Sequence, residues 1–397
     1  MKGDLGKFGY ESIDCKKKND LNLVDKIIFE SGKIDVPCLK LNDDNATYFN
    51  ISKKLDHGVL VPLHFVDKFY RSYKLVHITY GLFSSHKLYE FGQCIKDVVN
   101  TSGRKTVVIA SGDMSHCLKE QGPYNYHPSG PIFDQTLRKI LEEKDILSAM
   151  FFDEKLQQEA GECGKRSIDI MLGTLDGYDL DAKVYGYDGP FGVGYLAMGF
   201  ENLRDDKNRL FSKKISAQYQ SQQAGKLASE SHFVKLARRA IEQYFGIRDD
   251  IMFDTLPAEM FEAKAGTFVS LKKHGALRGC IGTIGPTQDN VALEIVSNAV
   301  KAAFEDPRFP ALEKEELEEL DITVDVLLEP EKIEDVVELD VKRYGVIVTS
   351  GYKRGLLLPN LEGIDSVEEQ VRIALQKGSI DENESYVLER FEVVRYY

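Results

Sequence analysis

Between Asn202 and Glu230 the chain runs NLRDDKNRLFSKKISAQYQSQQAGKLASE, rich in Gln, Ser, Lys and Asp and poor in apolar periodicity. Such a stretch offers no face to bury, so it predicts a linker that divides the 397 residues into two folding units. Chain length agrees, because a single core rarely serves so many residues and the 43% of apolar residues suffice for two cores. We expect a first domain over residues 1–203, a linker over 204–228 and a second domain over 229–397.

The two sides of the break have different rhythms. Upstream, β-rich runs at Leu75–Tyr80 and Thr106–Ala110 alternate with helical patterns near Ser85–Val99, Ile132–Glu143 and Lys165–Leu175, and KVYGYDGPFGVGYLAMGF closes the domain as a Gly-rich strand pair. That alternation predicts an α/β domain with a buried sheet. Downstream, Ser231 can cap a helix whose Phe233, Leu236, Ala237, Ala240, Ile241 and Tyr244 recur at i, i+3, i+4. GTFVSLKKHGALRGCIG predicts two strands joined at His274-Gly275, and Asp289 opens a helix to about Phe304. Ile322, Val324, Val326 and Leu328 alternate as a half-buried strand, while Ser366 and Glu369 form the capping box of a late helix that Gly378 ends. This half predicts a smaller α+β domain.

Charge narrows the function classes. A formal charge of −13, with its densest acidic run at Glu313–Glu319, argues against nucleic acid, which needs a concentrated Lys/Arg surface. The six cysteines form no CxxC pair, which favours reduced thiols over a disulfide framework. No apolar run approaches the length of a membrane span and the N-terminus lacks a signal-peptide core, so we expect a cytoplasmic protein without a membrane partner.

Three segments of the first half carry metal-ligand or acid–base chemistry. Val107–Ala110 leads directly into Ser111-Gly112-Asp113-Met114-Ser115-His116, putting an acid and a histidine in the loop after a strand, where α/β sheets bind ligands. His57, in KLDHGVLVPLH, precedes a strand-like run, and Gly161-Glu162-Cys163-Gly164 stands just before a helix. Imidazole with carboxylate or thiolate is a normal ligand set for iron or zinc. Taken singly, each has a plainer reading: a loop histidine bonded to a nearby acid, or a glutamate that complements a helix dipole.

The ordered set LDHGVLVPL, SGDMSH and AGECGKRSI resembles the LigB-type class III extradiol dioxygenases, specifically their Memo-like branch, over about residues 1–200. The resemblance implies a non-haem Fe(II), or another divalent metal, and a small aromatic substrate. It matches His57 to a metal histidine, His116 to the acid/base histidine with Asp113 beside it, and the third metal ligand to Glu162 or Cys163. In that family another metal histidine lies in an S-P-H-like segment upstream of the stretch resembling KGDLGKFG, with which this chain begins. No histidine precedes His57, so the expectation is either a missing N-terminal portion or a lost ligand.

In the second half, LRGCIG is the densest signal. Alternation places Arg278 and Cys280 on one strand face, and Gly279 and Gly282 suggest a bulge or a close approach by another group. A small buried cysteine in a Gly-rich hairpin is the plainer reading. LRGCIGTIGP, NAVKAAFEDPRFP, the segment from Leu339 to Gly378 and RFEVVRY resemble the AMMECR-type domain over about residues 229–397. The resemblance singles out Arg278, Gly279, Cys280, Asp306, Pro307, Arg308, Arg354 and Pro359, and the arginines suggest a cleft for a small anionic ligand. The two halves together resemble the fused proteins of the AmmeMemoRadiSam system, which implies a radical SAM protein as partner. The chain itself has no CxxxCxxC motif for a [4Fe–4S] cluster.

Overall fold

The computed structural model describes residues 2–49, 51–251, 253–274, 276–361, 364 and 366–397. They form two compact units, Met1–Ser221 and Gln222–Tyr397, each mixing helix and strand. No helix among the described residues is long and apolar enough to cross a membrane.

The first unit is built on helices. Ser85–Ser102 and Lys165–Thr174 cross so closely that a Cβ on Gly92 would lie 2.0 Å from the Ile170 carbonyl oxygen and 2.8 Å from Gly173 Cα. Only glycine allows that approach, which brings Tyr89 and Leu172 into one core with Phe133, Leu137, Ile146 and Ala149. Two antiparallel hairpins flank the helices: Lys2–Leu5 with Tyr10–Lys16, and Tyr178–Asp188 with Tyr195–Asp205. The second is the expected Gly-rich strand pair, longer at both ends than the quoted stretch.

Two local expectations fail here, each for an identifiable reason. The run after His57 is helical, not strand-like: Asp56 accepts a hydrogen bond from the Val59 N–H and caps the helix His57–Val66, which also contains His64. Thr106–Ala110 forms no strand among the described residues, and Val107 is 86% exposed. An extended segment becomes a strand only by pairing, and Leu75–Tyr80, the other expected strand, makes only the isolated bridge Asn19↔Leu75. The buried sheet read from these two runs is therefore not assembled. The boundary between the two units, after Ser221, falls within the expected linker, most of which is the helix Ser212–Ser229, while Asn202–Asp205 still belong to the preceding strand. Ala, Gln and Lys favour helix without an apolar stripe, and this helix anchors through buried Ile215 and through Tyr219 stacked on His86 at 5.0 Å.

The second unit has two four-stranded antiparallel sheets. In one the order is Val393–Tyr396, Leu320–Leu327, Thr267–Lys273, Ala276–Gly282, and the helices His232–Tyr244 and Val291–Phe304 cover it. In the other the order is Lys353–Leu357, Gly345–Ser350, Val387–Phe391, Glu331–Ile333, packed by the helix Val367–Lys377. Ser231 and Ser366 cap their helices as expected, whereas Asn290 rather than Asp289 caps the central one. Gly275 lies outside the described residues; His274 before it takes the left-handed conformation (φ 50°) that a tight turn demands. A bulge opposite Leu271/Lys272 falls at Arg278, and a Cβ on Gly279 would meet the Ala302 carbonyl oxygen at 2.1 Å.

At the end of that hairpin Glu319 is held between Lys273 (3.0 Å) and the His274 ring (3.4 Å). Burial alone would raise its carboxyl, but these two neighbours outweigh burial and hold it at about 2. A depressed carboxyl stabilises the fold above the ordinary value of 4.5, and that contribution disappears as pH falls towards 2. Glu319→Gln is therefore expected to cost on the order of 3 kcal/mol near neutral pH and progressively less below about pH 4. Urea melts of both chains across that range check it; a pH-independent difference contradicts the ion-pair account.

Candidate metal centre

The loop after Ala110 is fixed from three sides. In the helix His57–Val66, Pro62 has no N–H for the Gly58 carbonyl, and Ser111 Oγ donates to that free carbonyl at 2.5 Å. Met114 N–H donates to Gly194 O and Gly194 N–H returns to Ser115 O, tying the loop to the Gly-rich hairpin. Ser115 is fully buried, its N–H donating to Asp134 and its hydroxyl to Ala160 O. Asp134 also accepts from the Tyr187 hydroxyl at 2.5 Å; burial pushes its carboxyl up, with those two hydrogen bonds acting against the rise.

The fourth contact completes the site. Gly112 and Gly164 pack backbone to backbone, a Cβ on Gly112 falling 2.4 Å from Gly164 Cα. Asp113 N–H then donates to Cys163 Sγ at 3.2 Å, and Cys163 N–H to Asp113 O at 3.4 Å. Tyr80 donates its hydroxyl to the Cys163 carbonyl at 2.8 Å. Burial pushes the Cys163 thiol up, the Asp113 N–H opposing and the nearby carboxylates adding to it.

The result is a three-donor group. One ligand atom from each of Asp113, His116 and Cys163 lies within 4.8 Å of the other two. His116 Nε2 is buried, stands 3.8 Å from Asp113 Oδ2 and has no hydrogen-bond partner among the described residues. An orphaned buried imidazole nitrogen beside a carboxylate and a sulfur suits a divalent first-row cation, which would supply the missing partner. Two aromatic rings border the group: Tyr124 stacks on His116 at 4.9 Å, and burial and then Asp113 raise the Tyr195 phenol.

The other predicted residues sit differently. Glu162 spends both carboxylate oxygens on protein, one accepting from Gln157 and one from the Lys165 N–H at 2.6 Å, so it caps the helix Lys165–Thr174. His57 is exposed at the start of its helix with its ring against Phe8 and is outside the three-donor group. The wiring through Ser115, Asp134, Gly194 and Tyr80 was not foreseen, because its partners lie up to 83 residues apart in the chain.

In the second unit, Arg278 makes four hydrogen bonds to protein groups. Its guanidinium donates to both Glu316 oxygens and to the carbonyls of Pro310 and Ala311. It clamps Pro310, Ala311 and Glu316 to the hairpin. Asp306 accepts from the Cys280 N–H and from Arg308, and Arg308 above all holds its carboxyl far below the ordinary carboxylate range. Arg354 reaches Glu389 at 3.3 Å.

Residues 3–198 match the family described as "Catalytic LigB subunit of aromatic ring-opening dioxygenase", and residues 234–396 match AMMECR1. A Clostridium acetobutylicum protein, CA_C1420, is 42% identical over all of this chain and 84% of its own length. This chain belongs to the LigB–AMMECR1 two-domain family. A Thermotoga maritima protein is 49% identical over 43% of the chain and 99% of itself. The crystal structure of uncharacterized protein PH0010 from Pyrococcus horikoshii is 33% identical, covering 41% of this chain and 88% of that one with a TM-score of 0.37. Membership in this family agrees with the expected architecture of a dioxygenase-like domain followed by an AMMECR domain.

Proposed function

We propose that the LigB unit is a ferrous, ring-opening-type oxidoreductase site in a cytoplasmic protein, with Asp113, His116 and Cys163 as the protein donors. The observation that supports this is their convergence around the unpartnered His116 nitrogen. When bound, such a metal supplies Lewis-acid and redox chemistry toward O2 and a chelating aromatic diol. The chain's own residues do the rest. Cys163 and Asp113 are fixed to each other by two backbone N–H groups, so the donor set is organised in advance. The half-exposed Tyr124 ring over His116 offers a flat apolar shelf for a planar substrate. Asp113, 40% exposed, faces solvent and can take a phenolic proton.

A second reading, a metal- or small-molecule-binding module without turnover, is favoured by Glu162 and His57. With both Glu162 oxygens engaged and His57 apart, the donor set differs from the two histidines and glutamate that ring-cleaving relatives use. Anaerobic loading with Fe(II), followed by catechol and O2-electrode measurements, decides between them. Stoichiometric iron with oxygen uptake supports the enzyme, stoichiometric iron without uptake supports the module in its metal-binding form, and no metal at all removes the enzyme and leaves only a small-molecule module. We also place the chain in the AmmeMemoRadiSam system with a radical SAM protein as partner, a reading supported by the pairing of these two domains. Co-sedimentation of the two purified proteins tests it.

A further inference from the structure

The Gly-rich tip that joins the strands Tyr178–Asp188 and Tyr195–Asp205 is sewn to the loop that carries Asp113 and His116. Gly194 O accepts from Met114 N–H at 2.9 Å and Gly194 N–H donates to Ser115 O at 2.8 Å, which sets Tyr195 next to Asp113. Further along, Leu118 N–H donates to Gly192 O at 3.0 Å, and Lys119 Nζ donates to Pro190 O at 3.0 Å. Gly192 takes the left-handed conformation (φ 85°), and a Cβ there would lie 2.9 Å from Gly122 Cα. A Cβ on Gly122 would in turn lie 3.3 Å from the Phe191 carbonyl oxygen. The tip is therefore fixed against the chain that runs on to Tyr124, whose ring stacks on His116 at 4.9 Å.

Both segments hold aromatic side chains out of the core. Tyr124, Tyr126, Phe191 and Tyr195 are all exposed, Phe191 to 71%, and among the described residues Tyr126, Phe191 and Tyr195 make no contact with another ring. A single exposed aromatic residue is ordinary. Four on two segments tied together beside one three-donor group make an apolar patch, and such patches mark binding sites. The backbone beneath them is locked, so little ordering remains to be done when a ligand arrives.

We propose that the hairpin tip and the loop Gly122–Tyr126 form a second subsite, continuous with the metal group, for an aryl unit attached to the diol. The preferred substrate then carries two aromatic rings, one at the three-donor group and the other against Phe191 and Tyr195. The flat faces of Phe and Tyr favour an aryl group over an alkyl chain, because ring-on-ring contact adds to plain burial. The subsite rests on the ring-opening reading above, and the two can fail separately.

Calorimetric binding of catechol and of 2,3-dihydroxybiphenyl under anaerobic conditions, to the Co(II)-loaded full chain and to the metal-free chain, tests it. The expected result is an affinity for the two-ring diol at least about 10-fold above that for catechol. Phe191→Ala should reduce that ratio at least about 5-fold and Phe191→Trp should keep it. Phe29→Ala, which removes an exposed ring from the helix Leu21–Ser31, should leave the ratio unchanged. A chain that takes up no Co(II) defeats the metal reading, and the ratio on the metal-free chain then still decides the subsite. Equal affinities for the two diols, a ratio indifferent to Phe191→Ala, an equal fall in Phe29→Ala, or no binding of either diol to either form would each overturn the proposal.

Discussion

His116→Ala is expected to weaken divalent-metal binding by about 100-fold or more while leaving the fold intact. The ring stacks on Tyr124 and stands 3.8 Å from the Asp113 carboxylate, and among the described residues its Nε2 has no hydrogen-bond partner to lose. Glu162→Gln makes the contrasting case. Its oxygens cap a helix and bind Gln157, so that variant should keep its metal and lose about 1 kcal/mol of stability. Calorimetric titration with Co(II), paired with thermal melts, reads both. If Glu162→Gln lost metal as His116→Ala does, the carboxylate would be a ligand and the assignment of Cys163 as third donor would be wrong.

The second large effect comes from a residue that binds nothing. Gly112→Ala would put a methyl group 2.4 Å from Gly164 Cα and 2.7 Å from the Cys163 carbonyl oxygen, both backbone atoms that cannot rotate away. Relief requires parting the two strands of chain that carry Asp113 and Cys163. The expected outcome is a loss of about 3 kcal/mol, the upper end for overpacking, with metal affinity falling at least about 10-fold. Gly32→Ala is the control, because nothing lies within 4 Å of its Cβ position and its φ of −62° suits any residue. Equal melting temperatures for wild type and Gly112→Ala would show that the two loops are not locked together.

Much of this architecture was legible because it depends on local chemistry. Ser231 and Ser366 act as caps, and the helix beginning at Ser85 is stopped by Gly103 in the left-handed conformation. The misreadings share a cause. Val59–Leu63 is apolar enough for a strand, yet the Asp56 cap settles it as helix, and Pro62 is tolerated because Ser111 satisfies the carbonyl it leaves free. Thr106–Ala110 has β-forming residues, but pairing depends on neighbours that its own sequence cannot specify.

The candidate site divides along the same line. Asp113 and His116 are three residues apart and could be read together, whereas Cys163 joins them through a glycine-to-glycine contact 50 residues away. No spacing in the sequence separates Glu162 from its neighbour Cys163 as a ligand; the direction each side chain takes from the helix start does. In the second half, Arg278 was the most conspicuous cation, and its guanidinium donates to Glu316 and to the carbonyls of Pro310 and Ala311, partners that lie more than thirty residues away.

The most direct test of the metal account is the near-ultraviolet and visible absorption spectrum of the full chain titrated with Co(II) under reducing, anaerobic conditions. One equivalent per chain should produce a sulfur-to-cobalt charge-transfer band that is absent from Cys163→Ser. Saturation without that band, or a band that survives Cys163→Ser, would contradict the assignment of Asp113, His116 and Cys163 as the donor set.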